Sequence, residues 1–367
     1  MGATTFAYDD ALTQHKWADS LAVEAAVAQY MFKFMGEGFD NMVRVLKDLT
    51  KTKGDKITYG LRMKLAGDGT EGDTQIEGTL AEEPLSFYSD YVYVDQRRKG
   101  TKVGGKMSEQ RVAYNLRKES RDALVTWWAE DLDQQMFIYA AGIRGIDTAL
   151  HFGLSWTGRA SNTLTDCDTS HLLFAGDATS AGAIDEADIM DLVAIEKCIS
   201  KAETSDPMIQ PFNVGGENKH IMLMHTWQQH QMRVNTSTGD WQDITKFAGE
   251  RGKGNKLYQN ALGEYANVIL HKHRYIPRQE TYGDSDNLPG ARALFLGAQA
   301  LTVAWAGTGA PSGVGGAGRF GWNEETDDRG NQIAITTNSI YGIKATIFNS
   351  KRFGMFGFDT YCKDPNS

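Results

Sequence analysis

Cysteine is scarce in this chain, with only Cys167, Cys198 and Cys362 in 367 residues, far apart and without CxxC spacing. An odd, sparse set argues against a disulfide framework and suits reduced thiols in a cytoplasm. No apolar run approaches the length that crosses a bilayer, and no apolar core follows a basic segment near the start, so neither a membrane span nor a signal peptide is expected. Positive charge is also in short supply. With 38 Lys and Arg against 47 Asp and Glu, the net charge of −9 argues against tight general binding to a phosphate backbone. Low-complexity tracts are missing apart from short Gly-rich loops. The remainder is 41% hydrophobic over 367 residues, which allows a sizeable core and, by length, two or more lobes.

The most informative stretch runs from Leu65 to Gly142. Ile57, Tyr59, Leu61, Met63 and Leu65 alternate with Thr58, Arg62 and Lys64, the period of two of a half-buried strand, and a second strand fits residues 87–95. The intervening AGDGTEGDTQIEGTLAEE is too rich in Gly and carboxylates to build a core, so it is expected to stand away from the body as a flap. One long helix is then expected, with Ser108 as N-cap, Glu109 in the first turn and Gly142 just past the end. Some 35 residues would make a rod of about 50 Å. Val112, Leu116, Ala123, Leu124, Trp127, Trp128, Leu132, Met136 and Tyr139 recur at spacings of three and four, a buried stripe opposite Arg117, Lys118, Arg121, Glu130 and Asp133. A projecting flap beside a long rod points to assembly.

The rest of the chain mixes strands with unequal helices, which gives an α+β class. Trp17, Leu21, Ala25, Ala28 and Phe32 predict an N-terminal amphipathic helix, a packed element or an arm for an adjacent subunit. Residues 184–201 predict a helix with acids in its first turn, HIMLMH a buried strand, the segment with Trp227, His230 and Arg233 another helix, and NVILHKHRYI a further strand. A turn is expected at residues 287–290 and short alternating strands from 333 to 361.

Several patterns invite chemistry. Residues 313–318 match GxGxxG, but RFGWNEETDD after them opens no helix that would hold a pyrophosphate, so a surface loop is expected. Asn323-Glu324 beside Trp322 resembles a glycosidase acid pair, yet adjacent strand residues face opposite ways and the second carboxylate is not evident. His220, His225, His271 and His273 lack an evident third metal ligand. Trp127-Trp128 reads as core or interface packing rather than a stacking platform. Asp68, Glu71, Asp73 and Glu77 break EF-hand spacing. Their expected role is contact with a neighbouring copy through Arg97, Arg98, Lys99 and Lys102 at the flap base, the alternative being two solvated ends. On that reading, replacing Arg97 and Arg98 with Ala weakens assembly and leaves folding nearly intact.

GDTQIEG, VDQRR, GKMSEQRVAYNLRKESRDALVTWWAEDLDQQMF, ARALFLGAQA and GWNEETDDRGNQIAI, in this order and spacing, resemble the podophage-type major capsid proteins of tailed double-stranded-DNA phages, with the HK97-type fold. The resemblance covers nearly the whole chain after about residue 50. It implies an N-terminal arm (1–50), an extended loop (51–104), a peripheral domain with the spine helix (105–180), an axial domain (181–290) and a return to the peripheral domain (291–367). It also implies a shell subunit without catalytic activity or cofactor, assembled into hexamers and pentamers of an icosahedral virion head. Its expected partners are itself, a portal, a separate scaffold protein, a decoration protein and, by weak non-specific proximity, packaged DNA. The alternatives are an encapsulin-like compartment of the same fold and a carbohydrate-active hydrolase using Glu324.

Overall fold

The computed structural model describes residues 21, 24–25, 27–49, 53–62, 69–73, 75–77, 82, 87–113, 115–214, 216–236, 258, 260–307 and 319–366. Two sheets and one long helix organise them. In the first sheet Met35–Gly36, Val43–Leu49, Leu301–Ala306, Gln332–Ala345 and Phe320–Asp327 follow in order, and Asp95–Val103 also pairs with Gln332–Ala345. That 14-residue strand is the centre of the sheet: Asp95–Val103 lies along one edge, while Leu301–Ala306 and Phe320–Asp327 share the other end to end. The expectation of only short strands after residue 333 fails here, because the strand has partners along the whole of one edge and, on the other, from Ile333 to Tyr341.

The register sets which side chains meet the helix. Arg97, Lys99 and Thr101 pair with Ser339, Thr337 and Ile335, which pair in turn with Phe320, Trp322 and Glu324, so all share one face. Leu116–Ala141 lies over this face. Its 26 residues make a rod of about 39 Å, shorter than expected. The single helix read from Ser108 is two, because Lys106–Arg111 ends at Val112 in extended backbone (φ −108°, ψ 136°). Every residue of that short helix is exposed, so no packing propagates it. Asn115, not Ser108, caps the long helix: its Oδ1 accepts the Lys118 N–H at 3.1 Å. Val112 is therefore off the helix and half-buried, as are Leu116 and Trp127 on it, whereas Leu124, Trp128, Leu132 and Met136 are buried.

The expected polar face does not continue along the helix. From Asp131 to Ala141 every residue is buried, since this half passes between the first sheet and the second. Asp133, expected on the solvent side, instead accepts the Tyr30 and Met31 N–H groups at 2.7 and 3.0 Å. Gly142 ends the helix in the left-handed region (φ 73°), where a Cβ would lie 2.3 Å from the Thr165 carbonyl oxygen. Two distant arginines supply the positive charge that a helix C-terminus favours. Arg292 donates to the Ala141 carbonyl and Arg352 to the Tyr139 carbonyl, each at 3.2 Å. Asp359 balances Arg292 through two bonds of 2.7 and 2.9 Å.

The second sheet has eight strands. Ala261–Tyr265, Val268–Lys272, Glu217–Met224, Leu288–Leu296, Met355–Tyr361 and Leu172–Phe174 follow in order, with Arg278–Tyr282 and Phe212–Val214 as side branches. Ile221, Leu223, Ile269 and Leu294 face the long helix; Met222, Met224, Leu270 and Phe295 face Ile195, Cys198 and Ala202 of the helix Leu192–Thr204. Both faces are covered, which explains the unbroken apolar run HIMLMH. The helix expected over 184–201 begins only at Leu192, where Asp191 caps the Ala194 N–H at 2.7 Å. The acids before it serve a loop, with Asp188 accepting the Asp185 N–H at 2.9 Å. The turn expected at 287–290 is instead the start of Leu288–Leu296, where an opening Pro is tolerated. Leu288–Leu296 and Met355–Tyr361 both belong to the second sheet, so the chain re-enters the first at Leu301 rather than at 291.

The flap base is anchored, not free-standing. Lys56–Arg62 and Phe87–Tyr93 pair antiparallel, and Ile57, Tyr59, Leu61 and Val92 form a separate core with Leu46, Leu49 and Ala304 on the far face of the first sheet. Within it, buried Asp90 accepts from Tyr59 Oη at 2.9 Å, Lys344 Nζ at 2.5 Å and the Ile347 N–H at 3.2 Å. Asp90→Ala strands the Lys344 charge in a largely buried site, and is expected to cost about 3 kcal/mol. Urea unfolding checks this; a loss within about 0.5 kcal/mol, typical of surface sites, would remove Asp90 as the anchor.

Candidate assembly surfaces

Glu71, Asp73 and Glu77 are exposed around a turn in which Gly72 has φ 65°; Asp68 lies outside the described residues. The basic cluster is on the edge strand Asp95–Val103, which follows the hairpin with only Val94 between, and charge on an edge discourages indiscriminate strand pairing. Its four cations have different fates. Arg97 turns toward the helix and donates through Nε and Nη2 to Asp131 at 2.8 and 2.5 Å. Lys99 Nζ lies 5.1 Å from the Trp127 ring centroid, and Lys102 bonds Asp327 at 2.9 Å across exposed surface. Arg98 points to the opposite face, exposed and without an ionic partner among the described residues.

Arg97 is thus held inside its own chain, because alternation along the strand puts residues 97 and 98 on opposite faces. Around it Trp127 stacks on His151 at 5.5 Å and Trp128 donates Nε1–H to Thr337 Oγ1 at 2.7 Å, so the adjacent tryptophans diverge as helix geometry requires. Asp131 also accepts from Gln135 at 2.7 Å.

The patterns weighed for chemistry resolve into packing. Glu324 is largely buried and paired with Arg117 through both carboxylate oxygens, with Arg117 Nη2 to Oε2 at 2.7 Å. His271 Nδ1 lies 2.8 Å from Tyr30 Oη, and His273 stacks on Phe137 at 4.5 Å. His225 caps the helix Thr226–Asn235, accepting the Trp227 N–H at 3.2 Å, and His220 packs on Phe295. No group of three His, Cys, Asp or Glu among the described residues is placed to hold a metal. The GxGxxG at 313–318 and Trp17 lie outside the described residues. All three cysteines are buried free thiols, and burial pushes the Cys362 thiol up to about 12. Sequence reasoning missed one constellation: Asp168, Ser170 and His171 meet. Ser170 Oγ and Asp168 Oδ2 both address His171 Nδ1, at 2.9 and 3.0 Å, so the imidazole does not bridge them as a catalytic triad demands.

Two outcomes follow from this geometry. Arg97→Ala leaves the fully buried Asp131 without its guanidinium partner, and is expected to cost about 3 kcal/mol, whereas Arg98→Ala changes stability by less than about 0.5 kcal/mol. Equal effects in chemical unfolding would contradict the assignment. Burial, reinforced by nearby Arg274, lowers His273 to about 3, and burial with Arg278 lowers His225 to about 4. Below about pH 6.5 the unfolded chain takes up protons that these imidazoles refuse, so their contribution is full above that pH and is lost as pH falls toward 3 to 4. Burial raises Asp133 to about 7, an opposing contribution that favours the fold as pH falls from 7 to 4. His273→Gln should therefore lose about 1 to 2 kcal/mol less than the parent between pH 7 and pH 5. Identical losses would exclude a neutral buried His273.

A sequence model for the family described as phage capsid protein matches residues 5–362. The chain is 25% identical to the major capsid protein of Pseudomonas phage KPP25, over 91% of this chain and 89% of that one. Its structure superposes on the capsid of Ralstonia phage GP4 with a TM-score of 0.87, 35% identity and 100% coverage of both chains. The capsid protein of cyanophage Pam1 shares the fold, with a TM-score of 0.68, 19% identity and coverage of 99% and 96%. The two sheets, the anchored flap and the helix between them are the HK97-type architecture, and the chain belongs to the phage capsid protein family, as a major capsid protein of a phage head.

Proposed function

We propose that this chain builds the head shell by multivalent self-association, in which many modest contacts are satisfied together once hexamers and pentamers close into an icosahedral lattice. The acidic flap of one copy meets the exposed basic groups of a neighbour: Glu71, Asp73, Glu77 and, by sequence, Asp68 against Arg98 on the outer face and the solvent-exposed Lys99 and Lys102. The observation that carries this is the division of the basic strand. Arg97 is committed inward, while Arg98 is exposed, as are Glu71, Asp73 and Glu77 of the flap.

The arm (1–50), extended loop (51–104), peripheral domain (105–180, rejoined from 291) and axial domain (181–290) are the contacting units. The boundaries near 291 are functional rather than sheet boundaries, since Leu288–Leu296 and Met355–Tyr361 lie in the second sheet. A portal, a separate scaffold protein and a decoration protein are the further partners. The net charge of −9 fits a wall that encloses DNA without gripping it. The role is structural, without turnover: the ion pair with Arg117 supports Glu324 as a sheet-to-helix tie rather than an acid catalyst. The relatives are phage capsids, which favours a genome container over an enzyme-loaded compartment.

Charge reversal tests the contact. Arg98→Glu is expected to reduce shell yield at least tenfold at low salt, and Glu71→Lys with Asp73→Lys in the same chain to restore much of it, read by negative-stain microscopy and light scattering. Normal shells from Arg98→Glu would refute the pairing.

A further inference from the structure

The segment before the first sheet is laid along the long helix in a way that ordinary core packing does not explain. Residues 24–25 and 27–28 are helical, Leu21 and Ala25 are buried, and then Met31–Phe34 forms a turn of 3-10 helix. The change of helix type shifts the phase of the sequence pattern. Met31 and Phe34 enter the core, while Ala28 and Phe32, expected on the buried stripe, are exposed together with Val27.

Charged groups grip this segment at two points on the long helix. Arg121 bonds Glu24 at 2.6 Å, and twelve residues on, about 18 Å along the axis, Asp133 accepts both the Tyr30 and Met31 N–H groups. Tyr30 stands at the start of the 3-10 turn and supplies no side-chain cap, so Asp133 caps it from about a hundred positions away. Lys33 from the turn lies 3.8 Å over the Tyr30 ring, and His271, His273, Glu130 and Arg274 surround the site from the second sheet and the helix.

Between the segment and the helix is a cavity of about 590 Å3, bounded by Gln29, Thr126, Glu130, Asn260 and Arg274 among others. The space opens to solvent past Val27, Ala28 and Phe32, so the segment spans a cleft instead of packing flat against the helix. The side-chain amide nitrogen of Gln29, a residue more than nine-tenths buried, has no hydrogen-bond partner among the described residues.

We infer that residues 24–25 and 27–34 belong to a releasable strap, buckled to the long helix by the Asp133 carboxylate, which opens as a unit while both sheets stay folded. The buckle is polar, beside a cavity, and continues into the first sheet by only the two-residue ladder of Met35–Gly36 with Val43 and Arg44. Closing it buries charge. Burial raises the Asp133 carboxyl to about 7 and lowers the Lys33 ammonium to about 8, so neither group holds its charge as readily shut as open. The strap's use, though not its existence, rests on the shell reading: an arm that can lift lets chemically identical subunits fit rings of five and six.

Hydrogen exchange on the full-length, unassembled chain tests the buckle, and it is read whether or not shells form. Asp133→Ala should speed exchange in peptides spanning residues 24–34 by about tenfold or more, with Asp133→Asn, which keeps one acceptor, in between. Peptides from Phe137 to Ala141 and from Met355 to Tyr361 should be unchanged. Unaltered exchange at the strap would overturn the proposal, as would a rise spread over helix and sheets, which would make Asp133 a support of the core. Should Asp133→Ala fail to fold, Lys33→Met, which removes the positive charge nearest the buckle together with its contacts to Tyr30 and His271, decides: a rise confined to the strap supports the buckle and no rise refutes it.

Discussion

The structure depends on satisfying the polar groups of a helix that is buried on all sides over its second half. An unpaired charge or carbonyl there would cost more than the apolar packing around it returns. Each has a partner from elsewhere in the chain: Asp131 takes Arg97, Asp133 takes the strap, Gln135 donates to Tyr341 Oη at 2.6 Å, and Gln134 accepts the His151 N–H at 2.8 Å. The terminal carbonyls take Arg292 and Arg352. Apart from the strap, whose release uncovers Asp133, the partners come from both sheets and the loop after the helix, so the helix can be buried only when those are in place. Hydrogen-bonded charge thereby makes the two lobes cooperative, which apolar contact alone, being non-directional, would not specify.

Elements with strong local signals were legible in the sequence. The hairpin strands showed a period of two, HIMLMH had the composition of a doubly covered strand, and Gly142 marked the end of the long helix. Features decided at a distance were not legible. Asp131 and Asp133 look like ordinary surface charges on a helical wheel, and only the approach of residues 97 and 30–31 makes them internal. Nothing local sets Asn115 above Ser108 as the cap, and the full exposure of residues 106–111 cannot be read from their composition. Among surface groups, the alternation between Arg97 and Arg98 held the clue to their different fates. It required knowing which face the helix would cover.

The same rule separates internal from external chemistry throughout. Of the residues of Asp95–Val103, Arg97 faces the helix and contributes to folding, whereas on the reverse face Arg98 is exposed and Lys102 pairs with Asp327 across open surface. Substituting one set tests stability and substituting the other tests assembly, which a single chain with so many charges would otherwise confuse. The buried thiols and the Glu324 pair belong to the first set.

The flap has a mechanical consequence as well. Its second strand runs through Val94 directly into Asp95–Val103, which is registered with the central strand through nine consecutive pairs. A pull on the flap along this strand would load those ladder bonds side by side, in shear, instead of opening them one after another like a zipper. Tension between neighbouring copies would pass into the longest strand of the sheet and be shared across its full width. The projecting part of the subunit is therefore tethered by the arrangement of strands best suited to resist being drawn out.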